Sequence, residues 1–159
     1  MTHQVVQPYQ GNPELGHLST PISDSAFVRA FIGALPAYRK GMAPLTRGLE
    51  IGLAHGYFLV GPEVVVGALR DFEAAPYLGG LVTAIAIVLL GTAGMNAHGL
   101  VSLKPATELP PGTEALKTSE GWSEMAAGFF IGGMSGAFMA YFLLVHFADI
   151  NAIFRGFVN

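Results

Sequence analysis

Residues 77–102 read YLGGLVTAIAIVLLGTAGMNAHGLVS, an apolar stretch without a single Asp, Glu, Lys or Arg. An α-helix rises about 1.5 Å per residue, so a stretch of this length can cross a hydrocarbon core of about 30 Å. Two further apolar stretches, residues 46–68 and 122–148, have a similar length. The sequence therefore predicts an all-α integral membrane protein with three transmembrane helices.

The composition supports a membrane protein. Of 159 residues, 52% are hydrophobic and 12% are charged, whereas a soluble domain carries about 25% charged residues. A net charge of −3 and eight basic residues provide no phosphate-binding surface, which excludes nucleic acid as a partner. The absence of cysteine excludes disulfides and thiolate ligands.

Residues 1–45 are rich in Pro, Gly, Ser and Thr, and we expect an extended N-terminal arm ahead of a membrane domain at residues 46–159. Apolar side chains at helical spacing predict one short amphipathic helix around residues 25–35. This helix either lies on the membrane surface or packs on a partner, and both readings stay open. The polar N-terminus resembles neither a secretory signal nor a transit peptide, so we expect the whole chain to be mature protein.

Basic residues predict the orientation in the membrane, because loops rich in Lys and Arg stay on the cytoplasmic side. Six basic residues lie on the same side of the membrane as the N-terminus, either before the first span or between the second and third spans: Arg29, Arg39, Lys40, Arg47, Lys104 and Lys117. Two basic residues, Arg70 and Arg155, lie on the opposite side. The N-terminus is therefore expected in the cytoplasm or its equivalent, and the C-terminus across the membrane.

Small residues recur every fourth position in the first and third spans. They are Gly48, Gly52 and Gly56, then Gly128, Gly132, Gly136 and Ala140. Such ridges allow close backbone approach. Two interpretations compete: packing among the protein's own helices, or a surface for another subunit or a pigment.

His55 lies well inside the first span, where a buried imidazole without a partner costs several kcal/mol. Its partner is either a hydroxyl or backbone hydrogen bond, or a metal macrocycle that the ring ligates axially. On a helical wheel, Gly48 and Gly52 lie within about 60° of His55. This spacing predicts a flat wall beside a buried imidazole, against which a planar magnesium macrocycle fits.

Glu50 is a second anomaly, because carboxylates within spans are rare and usually functional. It lies about 140° from His55 on the wheel, which predicts two separate sites. The alternative roles of Glu50 are snorkelling to the interface or pairing with Arg47.

The remaining histidines and acidic residues carry weaker signals. His98 and His146 fall near span ends, where interfacial water can satisfy them, and His55 and His98 differ in depth by roughly 7 Å. A haem with two histidine ligands therefore ranks below chlorophyll. The outer loop around Asp71 is either solvated or holds a hard cation such as calcium. No motif predicts an enzyme active site.

Four segments carry a resemblance to a known family. They are GHLSTPISDS (residues 16–25), LPAYRKGMAPLTRGLEIGLAHGYFLVGP (residues 35–62), LRD (residues 69–71) and LKTSEGW (residues 116–122). Together they closely resemble the cyanobacterial form of the photosystem I subunit XI family, over nearly the whole chain.

The resemblance implies a three-helix, non-catalytic subunit of a light-driven plastocyanin/ferredoxin oxidoreductase complex in the cyanobacterial thylakoid membrane. It implies a stromal or cytoplasmic N-terminus and a lumenal C-terminus. It further implies chlorophyll a and beta-carotene as cofactors, with Glu50 and His55 as axial ligands of chlorophyll magnesium. A calcium ion is implied at Asp71, although this chain has Ala68 where the resemblance leads us to expect proline.

The implied partners are the large photosystem I core subunits, small membrane subunits, lipids, and the same subunit in neighbouring monomers of a trimer. No ligand role is implied for His98 or His146. The competing interpretation is a small haem-bearing membrane redox subunit or transporter.

Overall fold

The computed structural model describes residues 6–8, 18–101 and 114–157. A two-residue antiparallel ladder joins β1 (Gln7–Pro8) to β2 (Leu18–Ser19). The α-helices are α1 (Ala26–Ala34), α2 (Pro44–Val66), α3 (Pro76–Val101), α4 (Ser119–Val145) and α5 (Phe147–Phe154), with a 3-10 helix at Glu114–Lys117. The chain divides into two compact units, residues 1–40 and residues 41–159.

The first unit contains the short helix expected around residues 25–35, and α1 confirms that prediction. The Ser25 hydroxyl accepts a first-turn backbone N–H at 3.3 Å, which satisfies a donor that has no partner within the helix. At the other end, Arg39 donates Nε and Nη2 to the Ala34 carbonyl oxygen at 3.0 and 2.7 Å. Phe27 and Phe31 are exposed on one side, so α1 presents an apolar face.

The second unit contains α2, α3 and α4, which are long and apolar enough to cross a membrane. The prediction of an all-α membrane protein with three spans is therefore confirmed. Each helix begins one to three residues before its predicted start and ends one to three residues before its predicted end. The sequence pattern located the spans, and local backbone chemistry set their ends.

The ends of the helices follow from individual residues. Pro44 occupies the first turn of α2, where its missing N–H removes a donor that would lack a helical partner. Thr118 caps α4 by accepting the Gly121 N–H at 3.1 Å. His146 separates α4 from α5. Pro62 lies inside α2, which continues to Val66 despite the missing backbone donor.

The two glycine ridges pack against each other. A Cβ added at Gly52 would lie 2.8 Å from the Gly133 backbone nitrogen, closer than Cβ atoms approach other atoms. Gly48 and Gly56 face the α4 backbone in the same way, and the α4 ridge reciprocates: Gly132 faces backbone atoms of α2. Internal packing is therefore the role of both ridges, and the alternative of a pigment or subunit surface is wrong for these faces.

Helix α3 completes the bundle with larger side chains. The Val88 side chain is fully buried and lies where a side chain at Gly133 would have to go. A further apolar cluster joins all three spans, formed by Val60, Leu81, Ala84, Ala137 and Ala140. The α2–α4 contact thus depends on backbone approach, and the α3 contacts depend on side chains filling the remaining space.

Candidate functional site

His55 lies on the outside of the bundle with an exposed side chain. The expected burial of His55 is therefore wrong, and so is the flat glycine wall beside it. Gly52 and Gly56, which flank His55 along α2, are covered by the α4 backbone. Because those glycines draw α4 close, the imidazole is left at the rim of the α2–α4 contact.

Two contacts fix the orientation of the imidazole. His55 Nδ1 lies 2.7 Å from the Ile51 carbonyl oxygen, and a carbonyl oxygen only accepts, so Nδ1 carries the proton. The Phe129 ring of α4 lies edge-on to the imidazole, with ring centroids 5.8 Å apart and an interplanar angle of 60°. In the neutral ring, Nε2 then keeps its lone pair.

Within the described residues, Nε2 of His55 has no hydrogen-bond partner in the protein. Metal-ligating histidines commonly donate their other ring N–H to a backbone carbonyl, which fixes the tautomer and the ring plane. The Ile51 bond does this for His55. In this arrangement Nε2 is the ring nitrogen that carries no proton.

Glu50 is partly buried on α2. Five residues of helix separate it from His55, which rotates the two side chains by about 140°. Arg47, one turn earlier, is only 1% exposed and donates Nη2 to the Met42 carbonyl oxygen at 3.4 Å. Glu50 and His55 therefore lie on different sides of α2.

Asp71 lies in the turn between α2 and α3 and is 88% exposed. The Arg70 guanidinium lies 3.7 Å from its carboxylate and also donates to the Gly67 carbonyl oxygen at 3.3 Å. Calcium takes six to eight oxygen ligands, and the described residues contain no group of three His, Asp or Glu side chains that could hold a metal.

His98 is exposed near the end of α3 and contacts the Trp122 ring, with centroids 4.4 Å apart. His55 and His98 thus contact α4 at Phe129 and Trp122, which are seven residues or about 10 Å apart along the helix axis. The two imidazoles therefore contact α4 about two helical turns apart.

His146 has a different environment at the α4–α5 junction. Its Nδ1 lies 3.6 Å from the Asp149 carboxylate, and its ring centroid lies 4.7 Å from that of Phe142. The imidazole is therefore engaged by neighbours on its own segment. This is consistent with the interfacial role expected of it.

Comparison with known proteins identifies the family. The family model for photosystem I reaction centre subunit XI matches residues 5–149. The chain belongs to the photosystem I subunit XI family. Proteins named photosystem I reaction center subunit XI from Microcystis aeruginosa and Synechocystis are 58% and 56% identical over 158 residues each, covering 98% and 99% of this chain and 95% and 98% of theirs. The Thermosynechococcus vestitus protein of that name is 53% identical over 159 residues, the full length of both chains.

Membership of the subunit XI family confirms the resemblance and gives the role of the chain. It is a non-catalytic subunit that works within photosystem I together with other subunits. Its three candidate membrane spans fit the thylakoid membrane. The residues of interest in this subunit are therefore those that are exposed to the other components of photosystem I.

One feature of this subunit XI chain was missed from sequence. A cavity of about 460 Å³ opens between the end of α2 and the α4–α5 junction. Its lining consists of Tyr57, Phe58, Gly61, Pro62, Ala140, Leu143, Leu144, Phe147 and Ile150. The Gly61–Pro62 pair within the first apolar stretch was the available signal. We refer to this cavity as the outer groove.

Proposed function

We propose that this photosystem I subunit binds chlorophyll a through His55 and Glu50, binds beta-carotene, and joins neighbouring monomers of the photosystem I oligomer. The observation that carries the pigment proposal is the exposed His55 imidazole, held by Ile51 and Phe129 with Nε2 directed away from any protein partner among the described residues. When bound, chlorophyll supplies a magnesium ion that accepts one axial ligand, and a conjugated ring that absorbs light.

A membrane environment strengthens the argument for His55. A polar nitrogen facing hydrocarbon without a hydrogen bond is costly. The Ile51 carbonyl satisfies Nδ1, and an axial bond would satisfy Nε2. Because the hydrogen bond and the Phe129 edge limit rotation of the imidazole, the chain sets the direction of the coordinating lone pair.

Glu50 is proposed as the ligand of a second pigment. A carboxylate oxygen is a hard donor and suits magnesium. Its position about 140° around α2 from His55 directs it to a different pigment. Two ligands on one helix would hold their pigments at a fixed distance and relative orientation, because the helix backbone between the ligands is rigid.

We propose the outer groove as the contact for beta-carotene. A polyene without polar groups binds best to a surface that has few hydrogen-bonding groups. Among the residues that line the outer groove, Tyr57 is the only one with a polar side-chain group. The edge-to-face pair of Tyr57 and Phe58, with centroids 5.3 Å apart, gives the groove an aromatic wall. Extraction and chromatography of carotenoids from complexes with Gly61→Leu should show less beta-carotene than wild type, and equal content would contradict this assignment.

Contacts with neighbouring copies and other subunits are proposed for the exposed apolar residues of the last helix and for Phe157, which lies beyond its end. Phe147, Phe154 and Phe157 are 67%, 86% and 75% exposed, and clustered exposed apolar residues mark interaction sites. Large core subunits, small membrane subunits and lipids are the partners available within the membrane.

We also propose a stromal or cytoplasmic N-terminus and lumenal C-terminus, which the distribution of basic residues supports. We further propose that Asp71 and a nearby backbone carbonyl oxygen bind calcium.

Deletion of the subunit tests the oligomer proposal. Native gel electrophoresis of the complex from a deletion strain should show monomers in place of trimers. Intact trimers in that strain would contradict the proposal. Accessibility of the two termini to protease in sealed thylakoid vesicles tests the orientation, and cleavage of the C-terminus from the stromal side would reverse it.

The pigment proposal is tested by His55→Leu in the intact photosystem I complex. A cryo-EM map should lose the tetrapyrrole next to residue 55 while the subunit stays in place. Val65→Leu is the matched control, because Val65 is 71% exposed on the same helix, lies outside the outer groove and carries no ligand atom. An unchanged tetrapyrrole in His55→Leu, or none at His55 in wild type, would remove this residue as a ligand.

A further inference from the structure

We propose that His98 and the bare helix surface at Gly94 form an additional binding site for a magnesium tetrapyrrole, with His98 as the axial ligand. This inference rests on the proposed pigment-binding function and extends it to a second helix. The arrangement that the sequence suggested for His55, an imidazole beside an uncovered glycine surface, occurs on α3 at His98.

The first observation is the state of the His98 side chain. It is exposed, and among the described residues neither ring nitrogen has a hydrogen-bond partner in the protein. His98 lies within the last turn of α3, near the end of a predicted membrane span. The imidazole therefore has a nitrogen lone pair available to a ligand from outside the chain.

The second observation is that the position of the imidazole is fixed from the α4 side. Its ring centroid lies 4.4 Å from that of Trp122 at an interplanar angle of 64°. Trp122 itself donates Nε1 to the Leu116 carbonyl oxygen at 2.7 Å. A side chain at Gly99 would meet the Trp122 Cβ at 2.5 Å, so this glycine is what allows Trp122 to lie close to α3.

The third observation is the open surface at Gly94. Helical side chains lean toward the helix N-terminus, so His98 lies over the turn that begins at Gly94. A Cβ built at Gly94 has no atom within 4 Å, whereas Gly52 next to His55 is covered by α4. A planar ring can therefore approach the α3 backbone at Gly94 as the side chain of His98 reaches its metal.

The surroundings suit a large apolar ring. Ile87, Leu90 and Val101 share a helical face with Gly94 and His98, within an arc of about 80°. Leu90 and Val101 are 74% and 79% exposed, and Ile87 is 39% exposed. A strip of apolar side chains interrupted by one glycine and ending in one imidazole matches the chemistry of a macrocycle with a polar metal centre and an apolar rim.

The test is a cryo-EM map of the purified photosystem I complex. We expect a tetrapyrrole over Gly94 in wild type, with its metal at bonding distance from a His98 nitrogen. His98→Phe should lose that ring because it removes the ligand, and Gly94→Leu should lose it because a side chain fills the approach. His146→Phe is the matched control and should leave every pigment in place, since His146 is engaged by Asp149.

The outcomes separate this inference from the proposed function. A wild-type map with no tetrapyrrole against His98 would overturn the inference even if the variants fail to assemble, and a pigment at His55 in the same map would leave the proposed function standing. Retention of the ring in both His98→Phe and Gly94→Leu would also overturn it. If the map shows a ring at His98 but pigment extracted from the purified complex identifies that ring as haem and not chlorophyll, the magnesium assignment is overturned.

Discussion

Replacing Gly52 by alanine tests the packing that brings α2 and α4 together. The added Cβ would lie 2.8 Å from the Gly133 nitrogen and 2.8 Å from the Phe129 carbonyl carbon. These are backbone atoms of α4, so no side-chain rotation relieves the overlap and the helices must separate. Overpacking of this kind costs about 3 kcal/mol, and the removal of glycine returns about 1 kcal/mol of helix propensity. We expect a net loss of about 2 kcal/mol, or roughly 30-fold in the unfolding equilibrium constant.

Gly94→Ala is the matched control for Gly52→Ala. A Cβ at Gly94 has no atom within 4 Å, so this variant gains helix propensity without overlap and should be slightly more stable than wild type. The assay is unfolding of the isolated subunit in detergent micelles by increasing SDS, followed by the fluorescence of Trp122, the chain's single tryptophan. The two variants should shift the midpoint in opposite directions. A shift in the same direction would refute the backbone-to-backbone contact of α2 with α4.

Three further substitutions test local features of the chain. Thr118→Ala removes the hydroxyl that caps α4 and should destabilise the subunit by about 1 kcal/mol in the same SDS assay, while Thr118→Ser should match wild type. Ser25→Ala removes the cap of α1, so amide hydrogen exchange at the start of α1 should accelerate about 5-fold; unchanged exchange would mean that the cap does not stabilise α1. Asp71→Asn breaks an exposed pair with Arg70 and should change the SDS midpoint by less than about 0.5 kcal/mol, so a larger loss would reveal a structural role for that carboxylate.

The architecture was predictable because its causes are local. Three apolar stretches of spanning length gave the three helices, and apolar residues at helical spacing gave α1. The reciprocal glycine ridges were also visible in the sequence, but sequence could not show that they face each other. That knowledge requires the relative rotation of α2 and α4, which depends on the whole bundle.

The environment of His55 shows where sequence reasoning ends. A helical wheel gives the angles among His55, Gly48 and Gly52 correctly, but it does not show which of them a neighbouring helix covers. The wheel suggested that the glycines form a flat surface available to a pigment, but α4 occupies that surface. The hydrogen bond to Ile51 and the contact with Phe129 likewise depend on side-chain torsion and on another helix.

The same packing that hides the glycines determines how the imidazole is presented. Since α2 and α4 meet backbone to backbone at Gly52, Phe129 is brought to 5.8 Å from the His55 ring and limits its rotation from one side. The Ile51 carbonyl limits it from within α2. In a membrane, helix association depends on van der Waals contact and not on hydrophobic exclusion from water, so a close seam of small residues is the means available for holding such a geometry. The glycines thus act on the proposed pigment site indirectly, by fixing the helix that orients the His55 imidazole.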